Sequence, residues 1–97
     1  MHVAALEVEL HITSSQSLKD KRAVVRHVVD SARRRFGVSA SEVGFHDLWQ
    51  RSTIGFAYVA PDPARVEEVL QTVERFVWSL PGVEVVSVRW HWLDPEA

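Results

Sequence analysis

The residues in this sequence that could do chemistry crowd into two short stretches. In "HDLWQRSTIG" (46–55) the imidazole of His46 stands beside the carboxyl of Asp47, with Trp49, Arg51 and the hydroxyl of Ser52 close behind. An adjacent His and Asp are raw material for general acid–base catalysis. In a strand, though, neighbouring side chains point to opposite faces, and the two would meet one substrate only across a bulge. Ser52 as a nucleophile would need a base, and no spacing supplies one. A different chemistry is a binding tip, with Trp49 stacking on a base and Arg51 clamping a phosphate, as single-stranded nucleic acids are held. The plainest reading is structural: Trp49 packs its ring, while Asp47 and Arg51 satisfy turn amides or each other across a hairpin.

The second stretch begins "SLKDKRAVVR" (17–26). On a helix turning about 100° per residue, Lys19, Arg22, Arg26 and Arg33 fall within about 60° of one another. Such a row of ammonium and guanidinium groups suits the phosphates of a nucleic-acid backbone. The bland reading is a solvated helix face, the ordinary place for Lys and Arg. Lys21 is stranger, because it projects into the apolar arc of the same helix. Its stem can run along the core edge, and its ammonium can reach the hairpin tip to form an ion pair with Asp47.

Metal chemistry finds little support. There are five His and no Cys. That excludes disulfides, thiolate metal sites and Cys nucleophiles, and no HxH or HExxH spacing occurs. We expect no metal and no cofactor. Glu7 and Arg89 read as a cross-strand ion pair.

These residues need a scaffold, and the hydrophobic pattern supplies one. "VAALEVELHI" (3–12) alternates with period two, putting Ala4, Leu6, Val8, Leu10 and Ile12 on one face. Ser17 and Asp20 form a capping signature for a helix from Leu18 to Phe36, ended by Gly37. Its apolar arc holds Leu18, Val25, Val28, Val29, Ala32 and Phe36. A strand from about Glu42 to Trp49 and another from about Ser52 to Ala60 form a hairpin. Asp62 and Pro63 open a second helix, whose buried stripe runs from Val66 to Leu80, and Pro81 and Gly82 stop it. "VEVVSVRWHWL" (83–93) is the last strand. This βαββαβ order predicts one domain over 1–97 in the α+β class, a ferredoxin-like split βαβ fold: four antiparallel strands with both helices on one face.

Two surfaces then stand out. "IGFAYV" overlaps the aromatic pattern of an RNA-binding sheet face, but Glu7 and Glu9 on the first strand would repel phosphate. If Phe56 and Tyr58 instead share a face with Val3, Ala5, Val83 and Val85, that face is too apolar to stay uncovered and predicts a homodimer. Trp78 lies well off the second helix's buried stripe, in line with Glu67, Gln71 and Glu74, and is a candidate protein contact alongside Phe56 and Tyr58.

Composition bounds the rest. Of 97 residues, 46% are hydrophobic and 25% charged, as in ordinary globular proteins, and the formal charge is −2. A polyanion would therefore have to meet a local patch. No apolar run approaches a membrane span, and Glu7 and Glu9 fall where a signal peptide would be apolar, so a cytoplasmic location is expected.

"LEVELHI", "SLKDKRAVV", "FGVSASEVGFHDLWQRSTIGFAYVA" and "VEEVLQTVERFV" together resemble the YlxP-like family of small bacterial proteins, nearly end to end. "SLKDKR" and "DLWQRSTIG" are the most specific parts; "IGFAYVA" is more aromatic than the family leads one to expect. The resemblance implies a ferredoxin-like fold, no established enzymatic activity and no catalytic residues to carry over. It also implies genomic neighbours in translation initiation and ribosome maturation, which is association rather than mechanism.

The leading expectation is a non-enzymatic protein that docks structured RNA or a ribosomal particle. Lys19, Lys21, Arg22, Arg26 and Arg33 would neutralise phosphates, and Trp49 and Arg51 would add a local contact. The alternatives are a homo-oligomeric protein-interaction module using Phe56, Tyr58 and Trp78, and an uncharacterised enzyme near Asp47.

Overall fold

The computed structural model describes residues 1–93. Strand β1 (His2–His11) buries Ala4, Leu6, Val8 and Leu10 on one face, and Ile12 continues the core just beyond it. Helix α1 (Leu18–Phe36) starts where the Ser17 hydroxyl accepts the Asp20 N–H at 3.0 Å. The Asp20 carboxylate reaches back one residue further than a standard capping box, accepting the Gln16 N–H at 3.0 Å. Gly37 ends the helix with φ +66°, and its N–H closes on the Arg33 carbonyl.

Strand β2 is Ser39–Gly44 and strand β3 is Arg51–Ala60. Here the structure corrects the expected Glu42 to Trp49 strand. Phe45 has φ +58°, a left-handed conformation that ends β2, and residues 45–50 form a loop. Helix α2 (Pro63–Trp78) is capped by Asp62, whose carboxylate accepts the Ala64 N–H at 2.8 Å. Strand β4 (Glu84–Leu93) closes the chain's order.

The sheet runs β2-β3-β1-β4, every neighbouring pair antiparallel. Together with the two helices this is the ferredoxin-like βαββαβ fold. One core joins the inner face of the sheet to Val25, Val28, Val29 and Ala32 of α1 and to Val66, Val69, Leu70, Val73 and Val77 of α2. Helix α1 packs over β2 and β3, and α2 over β1 and β3, with β4 only at its flank.

Register overturns one placement. Phe56 pairs with Leu6 and Tyr58 with Ala4, so both lie on the helix-covered face, away from Val3 and Ala5. Phe56 is buried in the core and Tyr58 packs at its margin. Neither offers an open-face protein contact, and the apolar face from which a dimer was expected does not contain them. The open face carries instead Glu7, which pairs with Arg89 at 3.2 Å and with His91 at 2.7 Å.

Candidate functional site

Lys21 is wholly buried, and its three ammonium protons all find acceptors: Glu42 Oε2 at 2.7 Å, the Phe45 carbonyl at 2.8 Å and the His46 carbonyl at 3.0 Å. Glu42 Oε2 also accepts the hydroxyl of buried Ser52 at 2.6 Å. The Lys21 partner is thus Glu42, not Asp47. Hairpin length decides this: with β2 ending at Gly44, Glu42 faces the core beside Ile54, and Asp47 sits out on the loop. Lys21 is also withdrawn from the proposed phosphate ligands, because a buried ammonium with all its donors engaged cannot meet a phosphate.

The same network holds the loop. Besides the two carbonyls bound by Lys21, the Gln50 carbonyl accepts the Ile12 N–H at 2.8 Å, and the Gln50 amide donates to the Ser15 carbonyl at 3.2 Å. A loop pinned at both ends displays what remains. Leu48 and Trp49 are 44% and 46% exposed; Phe45 and Val43 are also part-exposed, Val43 on the open sheet face against Gly55. Sequence reasoning found Trp49 but missed Phe45, Leu48 and Val43, having assigned them to a strand. The signal was there: apolar residues in a segment rich in turn formers.

Arg51 pairs with Glu9 and lays its guanidinium over the Phe45 ring, 4.3 Å from the centroid. His46 turns its ring to the Glu42 carbonyl, with Nε2 at 3.1 Å, rather than to Asp47. The adjacent His and Asp are therefore not assembled as a proton-exchanging pair.

On α1, Lys19, Arg22 and Arg26 are exposed, and none has an acidic partner among the described residues. Arg33 belongs to the same angular row but bends to the sheet edge, where it donates to the Ala40 carbonyl at 2.7 Å. Ala40 and Glu42 are two apart on edge strand β2 and send their carbonyls the same way. Arg33 and His46 thus cover the outer edge of β2, the device by which edge strands avoid pairing with other chains.

The row and the loop meet at one end of the molecule, because Lys21 in the first turn of α1 ties that turn to residues 45 and 46. Among the described residues no group of three or more His, Cys, Asp or Glu side chains could hold a metal ion, and no helix is long and apolar enough to cross a membrane.

This is a small ferredoxin-like α+β domain with a buried Lys–Glu–Ser network. The chain belongs to the family described as "Protein of unknown function (DUF503)", whose pattern matches residues 3–90. Among its relatives, the "Uncharacterized protein YlxP" of Bacillus subtilis (strain 168) is 38% identical over 86 residues, covering 89% of this chain and 94% of that protein. The "De novo designed protein Ferredog-Diesel" is similar at TM-score 0.46 and 11% identity, over 92% of this chain and 83% of that one.

Proposed function

We propose that this chain is a non-enzymatic RNA-docking protein, acting on structured RNA or on a ribosomal particle in the cytoplasm. One observation carries the reading: the unpaired row Lys19, Arg22 and Arg26 starts at the same end of the molecule as a braced loop that exposes Trp49. Cations answer phosphates, and exposed rings answer unstacked bases in loops and bulges. The formal charge of −2 makes the attraction local, so the molecule would engage RNA in one orientation. Reversing the row with Lys19→Glu, Arg22→Glu and Arg26→Glu should abolish retention of structured RNA on a filter. Retention at the parent level after that reversal would remove the basis of the reading.

The apolar part of the same surface favours a second reading, a protein-interaction module that assembles with itself. Leu48 and Trp49 are both more than 40% exposed, at 44% and 46%. In that case association survives the charge reversal and fails with Trp49→Ala, as sedimentation would report.

A further inference from the structure

The opposite edge of the sheet carries a second surface. Trp90 and Trp92 rise from the helix-side face of β4 and, with Glu67, Gln71 and Glu74 on the flank of α2, line a groove of about 460 Å³. Trp78 extends that flank by one more turn and is 58% exposed.

The carboxylate of Glu74 organises the groove. Its Oε1 accepts the Trp90 Nε1–H at 3.3 Å and its Oε2 accepts the Trp78 Nε1–H at 3.2 Å. Both donors are neutral, so the carboxylate keeps its charge while fixing the orientation of two indoles. Among the described residues Glu67 accepts only the Gln71 amide, at 3.1 Å. Arg75, also on the groove wall, turns its guanidinium to the Thr72 hydroxyl at 3.0 Å. Neither Glu67 nor Glu74 has a cationic partner among the described residues. Indole faces beside uncompensated carboxylates attract a planar cation, and guanidinium fits best because it stacks on rings and donates to carboxylates at once.

Among the described residues strand β4 has only β1 beside it, and beyond the bulge at Val86 its pairing with β1 is regular from Ser87 to Leu93. An extended segment added along that free edge would send alternate side chains to the helix-side face, next to Trp90 and Trp92. The edge of β2, covered by Arg33 and His46, offers no such place.

We propose that this groove receives an arginine side chain from an extended basic segment of a partner polypeptide, laid along the free edge of β4. The site is separate from the α1 surface and does not depend on the reading given for it.

The test is a titration of the full ¹⁵N-labelled chain with a peptide of alternating arginine and threonine, followed by NMR, against a control peptide with glutamate in place of arginine. The indole signals of Trp78, Trp90 and Trp92 should move with the arginine peptide while that of Trp49 stays. Trp92→Ala, at an exposed position, and Glu67→Gln, which removes a groove carboxylate that holds neither indole, should each weaken binding about tenfold. The proposal is overturned if the three indoles stay still, if the glutamate peptide moves them equally, if only Trp49 responds, or if both variants bind as tightly as the parent.

Discussion

Lys21 Nζ lies 2.7 Å from Glu42 Oε2, with no side-chain surface of the lysine in contact with solvent. This one pair joins the first turn of α1 to strand β2, and through the Phe45 and His46 carbonyls it sets the path of the loop beyond. The two most distinctive stretches of the sequence, "SLKDKR" and "DLWQRSTIG", are therefore parts of one structural unit. The lysine that looked out of place in an apolar arc is what positions the exposed rings.

Removing that ammonium should be costly. Lys21→Met leaves the Glu42 carboxylate, only 16% exposed, with the Ser52 hydroxyl as its remaining partner, and frees two loop carbonyls. Breaking a buried pair from one side costs about 3–5 kcal/mol. Denaturant unfolding of Lys21→Met should show that loss, and Lys21→Met with Glu42→Gln should recover part of it. A loss below about 1 kcal/mol would mean the pair does not brace the fold.

Phe56 is a core residue, 1% exposed and opposite Leu6. Phe56→Ala should cost about 3–5 kcal/mol, and Phe56→Asp should unfold the protein rather than report on an interface. Circular dichroism of Phe56→Asp would check this; a folded variant would contradict the register.

The elements were readable because their signals are local. Period-two alternation marked β1, and Ser17, Gly37, Asp62 and Pro63 marked the helix ends through chemistry confined to a few residues. The row Lys19, Arg22 and Arg26 was readable because helix geometry alone sets it. What escaped depends on non-local pairing. The alternation of "EVGFHDLW" continues through Phe45, and only the positive φ there shows that the strand has stopped. Which face Phe56 and Tyr58 occupy depends on register with β1, and a shift of one residue reverses it. Arg33 leaves the row for a β2 carbonyl that no helical wheel contains. Glu42 replaced Asp47 as the Lys21 partner for the same reason, since hairpin length decides which acid reaches the core.

Two glycines with positive φ should differ in their tolerance of a side chain. At Gly37 (φ +66°) a Cβ would meet nothing within 4 Å, whereas at Gly82 (φ +72°) it would lie 2.8 Å from Ser14 Oγ and 3.0 Å from Ser14 Cβ. Gly37→Ala should cost about 1–2 kcal/mol from left-handed backbone alone. Gly82→Ala should cost more, and Ser14→Gly in the same chain should bring it back to the Gly37→Ala level. Urea midpoints of the three variants measure this, and equal losses for the two single variants would refute the steric argument.

Trp49 separates display from support. The ring is 46% exposed on a loop whose braces are Lys21 and Gln50, so Trp49→Ala should change stability by no more than about 0.5 kcal/mol. If the ring stacks on a base, the same variant should weaken single-stranded RNA binding by about 1–3 kcal/mol. Calorimetry and fluorescence anisotropy on one preparation read both quantities. A large loss of stability with unchanged binding would make the ring a structural residue.

The salt dependence of RNA binding should count the free cations. Five basic residues of α1 were candidates, but Lys21 is buried and Arg33 is committed to the Ala40 carbonyl, leaving Lys19, Arg22 and Arg26. Each phosphate neutralised contributes about −0.7 to −0.9 to the slope of log affinity against log salt, so three predict roughly −2 to −3 where four would give roughly −3 to −4. Arg26→Gln should flatten the slope by about one contact, and Arg33→Gln should leave it unchanged. Anisotropy titrations across a range of salt concentrations decide the matter. A slope insensitive to Arg26→Gln would dissociate the row from the nucleic acid, and a slope that flattens with Arg33→Gln would mean that Arg33 leaves the sheet edge when RNA arrives.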